Sequence, residues 1–179
     1  MSSSHPLHSS WSLYFHDPEN SDWSEKGYLK CGVVKTIEEF WQLYSILPKS
    51  TISMGMFFLM RDDILPLWED PRNRYGGYWS FKIPVENVYD VWECVSARLV
   101  SEIIMDDTST LTGITISPKK GDFCILKLWN GSDRIRCSSA SAEGKGNGIR
   151  TDQIQLHGVP MLDASTSMYS LFMKKKQFL

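Results

Sequence analysis

The sequence predicts one domain of α+β class, built from short strands and two amphipathic helices, and three observations carry that expectation. Short runs rich in aromatic and β-branched residues recur along the chain, as strands require. Two other segments repeat their apolar residues at helical spacing. At 179 residues and 42% hydrophobic content, the chain can bury one substantial core without needing a second domain.

The first strand is Trp11 to Phe15, closed by Asp17-Pro18. A polar loop follows over residues 16–27, and Trp23 is its sole large apolar side chain, so nothing in its own segment can bury it. That indole either anchors the loop to the core or meets a ligand. Leu29 to Val34 reads as the second strand. Thr36 and Glu39 then spell a capping box that starts a helix, and Pro48 ends it. Phe40, Leu43, Tyr44 and Leu47 share one face of this helix, while Ile37 and Trp41 form an i, i+4 pair displaced from it. Either the stripe is wide and buried, or Ile37 and Trp41 dock a partner helix.

Ser53 to Met60 reads as a central strand with a turn at Arg61-Asp62-Asp63, and Trp79 to Ile83 as a half-buried strand entered by a hairpin-like Gly76-Gly77 turn. Pro84 starts a long helix, with Val88, Val91, Trp92, Val95, Leu99 and Ile103 on a core-packed stripe. Leu111 to Ser117 and the run from Phe123 to Trp129 flank a Lys119-Lys120-Gly121-Asp122 turn and make a hairpin. Period two puts Phe123, Ile125, Lys127 and Trp129 on one face. Residues 138–148, rich in Ser and Gly, read as a flexible loop, Ile154 to Val159 as a further strand, and Lys174 to Lys176 as a basic end. Residues 1–179 are treated as one domain.

Composition excludes several classes. No run approaches the length of a membrane span, and the start lacks a basic stretch followed by an apolar one, so neither a span nor a secretory signal is expected. Cys31, Cys94, Cys124 and Cys137 are widely spaced with no C-x-x-C pair, which argues against zinc and a disulfide framework and points to a reducing compartment, cytoplasm or nucleus. A net charge of -2 confines any anion site to a local patch.

The richest stretch is Leu67-Trp68-Glu69-Asp70-Pro71-Arg72-Asn73-Arg74-Tyr75-Gly76-Gly77-Tyr78-Trp79. A core would accept its tryptophans but not its charges. A surface loop can place an indole beside a carboxylate instead, which suits a flat, electron-poor ring carrying N–H donors. Two indoles around a cationic aromatic ring add roughly 0.5–2 kcal/mol of cation–π attraction per contact. A neighbouring carboxylate accepts the ring's N–H groups, and the lysine turn suits a phosphate chain. The ligand implied is a methylated, positively charged purine nucleotide. The plainer reading is that Trp68 and Trp79 both anchor a hairpin to the core.

His5-Pro6-Leu7 followed by Trp11, the isolated Trp23, Thr36-Ile37-Glu38-Glu39-Phe40-Trp41, Pro66-Leu67-Trp68-Glu69-Asp70 with Gly76-Gly77-Tyr78-Trp79, and Lys120-Gly121-Asp122 with Trp129 beyond it occur in the order and approximate spacing of one family. Over residues 5 to about 130 the chain resembles translation initiation factor 4E, which binds the 7-methylguanosine cap of messenger RNA. The resemblance implies a strongly curved, mainly antiparallel sheet with two or three long helices on its convex face and the cap on its concave face. Trp23 and Trp68 would sandwich the methylated guanine, Glu69 would read its N1 and N2 donors, and Trp129 would touch the methyl group. Lys119 and Lys120 would take the phosphates. His5, Pro6, Ile37 and Trp41 would receive the Tyr-x-x-x-x-Leu-apolar helix of a 4G-type scaffold or a 4E-binding protein. No cofactor or metal is implied, and the chain is expected to be monomeric outside its complex.

Departures from the family pattern concentrate at two places. Counted from Lys120-Gly121-Asp122, a family Arg falls on Pro118 and a family Lys on Phe123, with Lys127 as the substitute cation facing the side of Trp129. Glu93-Cys94 stands where Leu-Glu is expected after Trp92, which predicts altered partner choice. The family's third long helix has no clear counterpart. Beside a cap-binding translation factor stand two alternatives: a paralogue acting mainly as a protein-binding scaffold or repressor with weak cap affinity, and a nucleotide hydrolase using Asp62, Asp63, Glu69 or Asp70. The last lacks a Gly-rich phosphate loop, a metal-ligand set and a Ser/His/Asp grouping.

Overall fold

A computed structural model describes residues 4–105 and 107–132. The strands are β1 (Pro6–His16), β2 (Leu29–Thr36), β3 (Met56–Arg61), β4 (Gly77–Pro84), β5 (Leu111–Pro118) and β6 (Phe123–Asn130). The helices are α1 (Ile37–Ile46), α2 (Lys49–Met54) and α3 (Val88–Val100). All strands pair antiparallel in one sheet of order β2-β1-β3-β5-β6-β4. The sheet is curved and the fold is of α+β class.

Side-chain alternation gives the sheet two unlike faces. One packs on the helices: Trp11 and Leu13 of β1, Phe57 and Leu59 of β3, Trp79 and Ile83 of β4, and Leu126 and Leu128 of β6 join Phe40, Trp92 and Leu99 in the main core. Each fully buried large side chain there contributes about 1.5–3 kcal/mol. The other face carries only a small cluster of Tyr14, Phe58, Met60 and Ile64, with Tyr28, Met56 and Trp129 at its margin. Every residue from Leu111 to Ser117 on β5 is buried, because the strand is paired on both edges, with Ile114 and Ile116 in the main core and Thr115 bonded to the Trp129 indole on the other face.

The start of α1 matches the capping box: Thr36 accepts a hydrogen bond from the Glu39 amide at 3.1 Å, and the Glu39 carboxylate reaches back to the Lys35 amide at 2.7 Å. α1 and α3 are joined where the buried Tyr44 hydroxyl donates to Ser96 Oγ at 2.6 Å. Burial holds the Tyr44 phenol well above its ordinary range, so it stays a neutral donor.

Several expectations need correction. On α1, Ile37 is 0% and Trp41 4% exposed, so of the two readings left open the wide buried stripe describes this helix, with both side chains in the main core. The strand expected from Ser53 begins only at Met56. Pro48, which ends α1, also caps α2, and Gly55 separates that helix from β3. The Gly76-Gly77 segment does not close a hairpin, since β4 pairs with β6. Pro84 belongs to β4, and a 3₁₀ turn at Val85–Asn87 precedes α3. The expected loop at 138–148, the strand at Ile154 to Val159 and the basic end lie outside the described residues.

Candidate functional site

The open face of the sheet and two loops enclose a cleft of about 570 Å³, within the size range of small-ligand sites. Its lining includes Trp23, Trp68, Glu69, Trp129, Lys119 and Lys127. Six of the seven residues expected to bind a capped nucleotide therefore meet in one place, although they come from four separate segments.

The segment of residues 17–24 carries Trp23 and is shaped by its own short polar side chains. Asp17 accepts from the Glu19 amide, Asn20 from the Asp22 amide and Asp22 from the Ser24 amide, each at 2.9 Å. These are successive Asx turns, which preset a loop without a core beneath it. Hydrogen bonds from Ser24 hold the Asp22 carboxyl below the usual carboxylate range. Trp23 is 52% exposed.

Residues 62–76 carry Trp68 and Glu69, and here a charge network centred on one buried carboxylate sets the geometry. Asp70 is 7% exposed and accepts from the Leu65 amide at 3.0 Å and the Arg72 amide at 2.9 Å. The Arg72 guanidinium donates to both Asp70 oxygens at 3.1 Å and to Asp63 at 2.6 Å. Asn73 spends both side-chain N–H groups on the carbonyls of Leu65 and Leu67, at 3.0 and 2.8 Å. Burial acts to raise the Asp70 pKa, but the Arg72 and backbone hydrogen bonds outweigh it and hold the carboxyl below its ordinary value. Gly76 completes the loop, since a Cβ there would collide with the carbonyl oxygen of Asn130. Residues on both sides of Trp68 and Glu69 are thus fixed, and those two side chains are left outward, Trp68 being 49% exposed.

Trp68 and Trp79 do not both anchor to the core. Trp79 is 3% exposed and belongs to the core, whereas Trp68 lines the cleft. Glu69 is exposed, and its charge, after burial, helps to push the Tyr28 phenol above its ordinary value, so carboxylate and phenol share the cleft's electrostatics.

The floor comes from β4, β5 and β6. Trp129 donates its indole N–H to Thr115 Oγ1 at 2.7 Å, which fixes the ring's orientation. Lys127 lies beside it on the same face, as period two predicts, with its ammonium 4.1 Å from the centre of the Tyr78 ring. Burial lowers the Lys127 pKa from its ordinary value. Lys119 reaches the cleft from the β5–β6 turn, and Lys120, exposed on the same turn, lies outside the cleft's lining. Tyr28, Met56 and Phe58 complete the wall and were not anticipated; their only signal was the strand alternation around Phe58.

The expected partner-binding residues sit elsewhere. His5 Nδ1 lies 2.7 Å from the Glu38 carboxylate, its amide also donates to Glu38, and its carbonyl accepts from the Ile37 amide at 3.0 Å. Pro6 is exposed, whereas Ile37 and Trp41 lie beneath the surface.

Comparison with known proteins places this geometry among relatives. Residues 6–155 match the family described as Eukaryotic initiation factor 4E. The eukaryotic translation initiation factor 4E of Eremothecium gossypii is 34% identical over 137 residues, covering 73% of this chain and 64% of that protein. The human eukaryotic translation initiation factor 4E type 1B is 42% identical over 126 residues, covering 66% of this chain and 52% of that protein. The chain thus matches less than two thirds of the length of these curated relatives. Among solved structures, a schistosome eIF4E complexed with m7GpppA and 4E-BP superposes with a TM-score of 0.66 at 25% identity, covering 74% of each chain. The fold also matches Caenorhabditis elegans eIF4E-3 in complex with the 4E-binding protein Mextli and a cap analog, with a TM-score of 0.67 at 20% identity over 74% of this chain and 77% of that one.

Proposed function

The chain belongs to the eukaryotic initiation factor 4E family, and from that premise we propose that it binds the 7-methylguanosine cap of messenger RNA in the cleft. The observation that carries the reading is the convergence of two half-exposed indoles, a free carboxylate and two lysines on one cleft of nucleotide size. An indole 52% exposed and another 49% exposed, both lining one cleft, leave apolar, polarisable faces available to a flat ligand.

Methylation at N7 gives the guanine ring a positive charge, so each indole face it stacks on adds roughly 0.5–2 kcal/mol of cation–π attraction that plain guanine lacks. Glu69 accepts from the N1 and N2 donors of the guanine edge, and a charged acceptor makes those bonds stronger than neutral ones. Trp129, held by Thr115, meets the methyl group. Lys119 and Lys127 take the phosphates. The partly buried ammonium of Lys127 interacts in a lower dielectric than a fully solvated lysine, so one well-placed cation substitutes for several exposed ones.

A helical Tyr-x-x-x-x-Leu-apolar segment of a 4G-type scaffold or 4E-binding protein docks on the far face, over the rim formed by His5, Pro6 and Glu38. Ile37 and Trp41 act from beneath by holding that rim in shape. Support comes from the complexes with 4E-binding proteins among the structural neighbours. The protein is read as a cofactor-free binding protein of the cytoplasm rather than an enzyme.

Tryptophan fluorescence quenching tests the cap reading, comparing 7-methylguanosine triphosphate with guanosine triphosphate on the wild type, Trp23→Ala and Glu69→Ala. Selective quenching by the methylated ligand, lost in both variants, is the expected result. Equal quenching by both nucleotides in the wild type would remove the cap assignment and leave the protein-binding scaffold as the leading function.

A further inference from the structure

We propose that His16 is a positioning residue for the cleft: a fully buried imidazole that backs the Trp23 indole and ties its loop to the sheet. The inference rests on the stacking role proposed for Trp23.

His16 is the last residue of β1 and is 0% exposed, although its neighbours Asp17 and Pro18 are exposed. Both ring nitrogens face backbone carbonyls of the Trp23 loop: Nδ1 lies 2.9 Å from the Gly27 oxygen and Nε2 3.2 Å from the Asn20 oxygen. In either tautomer a ring N–H donates to one of these carbonyls, so the ring clasps the loop near both its ends. Across its flat face, His16 stacks on Trp23 with ring centres 4.2 Å apart and planes 24° from parallel. Tyr28 packs on the same imidazole at 4.9 Å, tilted by 40°.

A histidine therefore stands between the rigid sheet and the indole. The Asx turns shape the loop's backbone but make no contact with the Trp23 ring, and the loop residues flanking that ring are exposed. An indole on such a loop would sample several rotamers, and ordering it on binding would cost affinity. His16 closes one face of Trp23, and the indole, still 52% exposed, remains in the lining of the cleft. The imidazole thus does for Trp23 what Asp70 and Arg72 do for Trp68. Gly27 permits this approach: a Cβ there would collide with the Asp22 carbonyl and sit 3.4 Å from His16 Cε1.

The test uses the full chain with His16→Ala and His16→Phe, reading affinity for 7-methylguanosine triphosphate and, without ligand, the indole N–H resonance of Trp23. A stacked aromatic pair corresponds to roughly a 3- to 10-fold effect. In His16→Ala, affinity should fall by about that factor and the Trp23 resonance should move toward that of an unstructured tryptophan. His16→Phe keeps a flat ring behind the indole but loses both ties to the loop carbonyls, so it should recover only part of the affinity and of the shifted resonance and fall between His16→Ala and the wild type. Affinity and resonance unchanged in His16→Ala would overturn the proposal, as would equal losses in both variants at unchanged thermal stability. The ligand-free resonance keeps the test separate from the cap assignment, since it reports on Trp23 even in a protein that fails to discriminate the methylated base.

Discussion

Tryptophan sits on both sides of this sheet and does opposite things there. On the helix-covered side Trp11, Trp79 and Trp92 are 0–3% exposed and packed among aliphatic neighbours. On the open side Trp23 and Trp68 are about half exposed, each on a loop held by polar hydrogen bonds instead of a core. The difference teaches that the residue type announces a large flat surface, while its neighbours decide whether that surface serves stability or recognition. Where the flanks alternate apolar residues, the indole becomes core; where they carry Asp, Asn and Arg, the flanks fix the loop and the ring faces outward.

That contrast breaks or holds under substitution. Trp92→Ala should cost about 3–5 kcal/mol of stability and leave little folded protein to bind anything, as chemical denaturation would register. Trp68→Ala should do the reverse: stability within about 0.5 kcal/mol of wild type, with affinity for a methylated cap analogue weakened by about 1–3 kcal/mol, measured by fluorescence titration. An equal stability loss in both variants would erase the distinction between the two faces.

Asp70→Ala falls between them, because it leaves the Leu65 and Arg72 amides without their acceptor and the Arg72 guanidinium with Asp63 alone. It should cost about 1–3 kcal/mol in stability and weaken cap binding as well, since the same network aims Trp68. The pH dependence carries the sign. The folded-state pKa of Asp70 is held below its ordinary value, so its stabilisation is present above the ordinary carboxylate range and is lost as pH falls through the depressed value. Acid unfolding of the wild type should therefore show a component that Asp70→Ala lacks.

Thr36→Ala removes the cap of α1 and should cost about 1 kcal/mol in thermal unfolding without changing cap affinity. The smallest effect belongs to Lys127. Because burial lowers its pKa, its charge is lost at a lower pH than that of a solvated lysine. Affinity for a cap triphosphate should decline on the alkaline side before ordinary lysines titrate, and Lys127→Arg should flatten that decline.

The strands and the capped helix were legible because their signals are local: alternation in Trp79 to Ile83, the Thr36 and Glu39 pair, and the lysine turn between β5 and β6 all appear as expected. Trp23 was legible for the opposite reason, since nothing around it could bury it. What failed depended on distant partners. For Ile37 and Trp41 the helical spacing left two readings open, and only the folded core shows that both are buried with Phe40 and Tyr44. The short helix α2 was hidden because Pro48 ends one helix and begins another. His16 carried no sequence signal at all, because a histidine at a strand end reads as a polar terminus until the loop folds back over it.

The strand β5, buried from Leu111 to Ser117 and paired with both β3 and β6, has a further consequence for how the molecule breathes. Its amides exchange hydrogen with solvent only when the whole sheet opens, so their exchange rates report global stability. The amides of the segments around Trp23 and Trp68 exchange through local opening, and a ligand in the cleft slows them selectively. One protein thus carries its own internal standard: the ratio of loop to β5 exchange measures occupancy of the cleft, independent of any change in the stability of the fold.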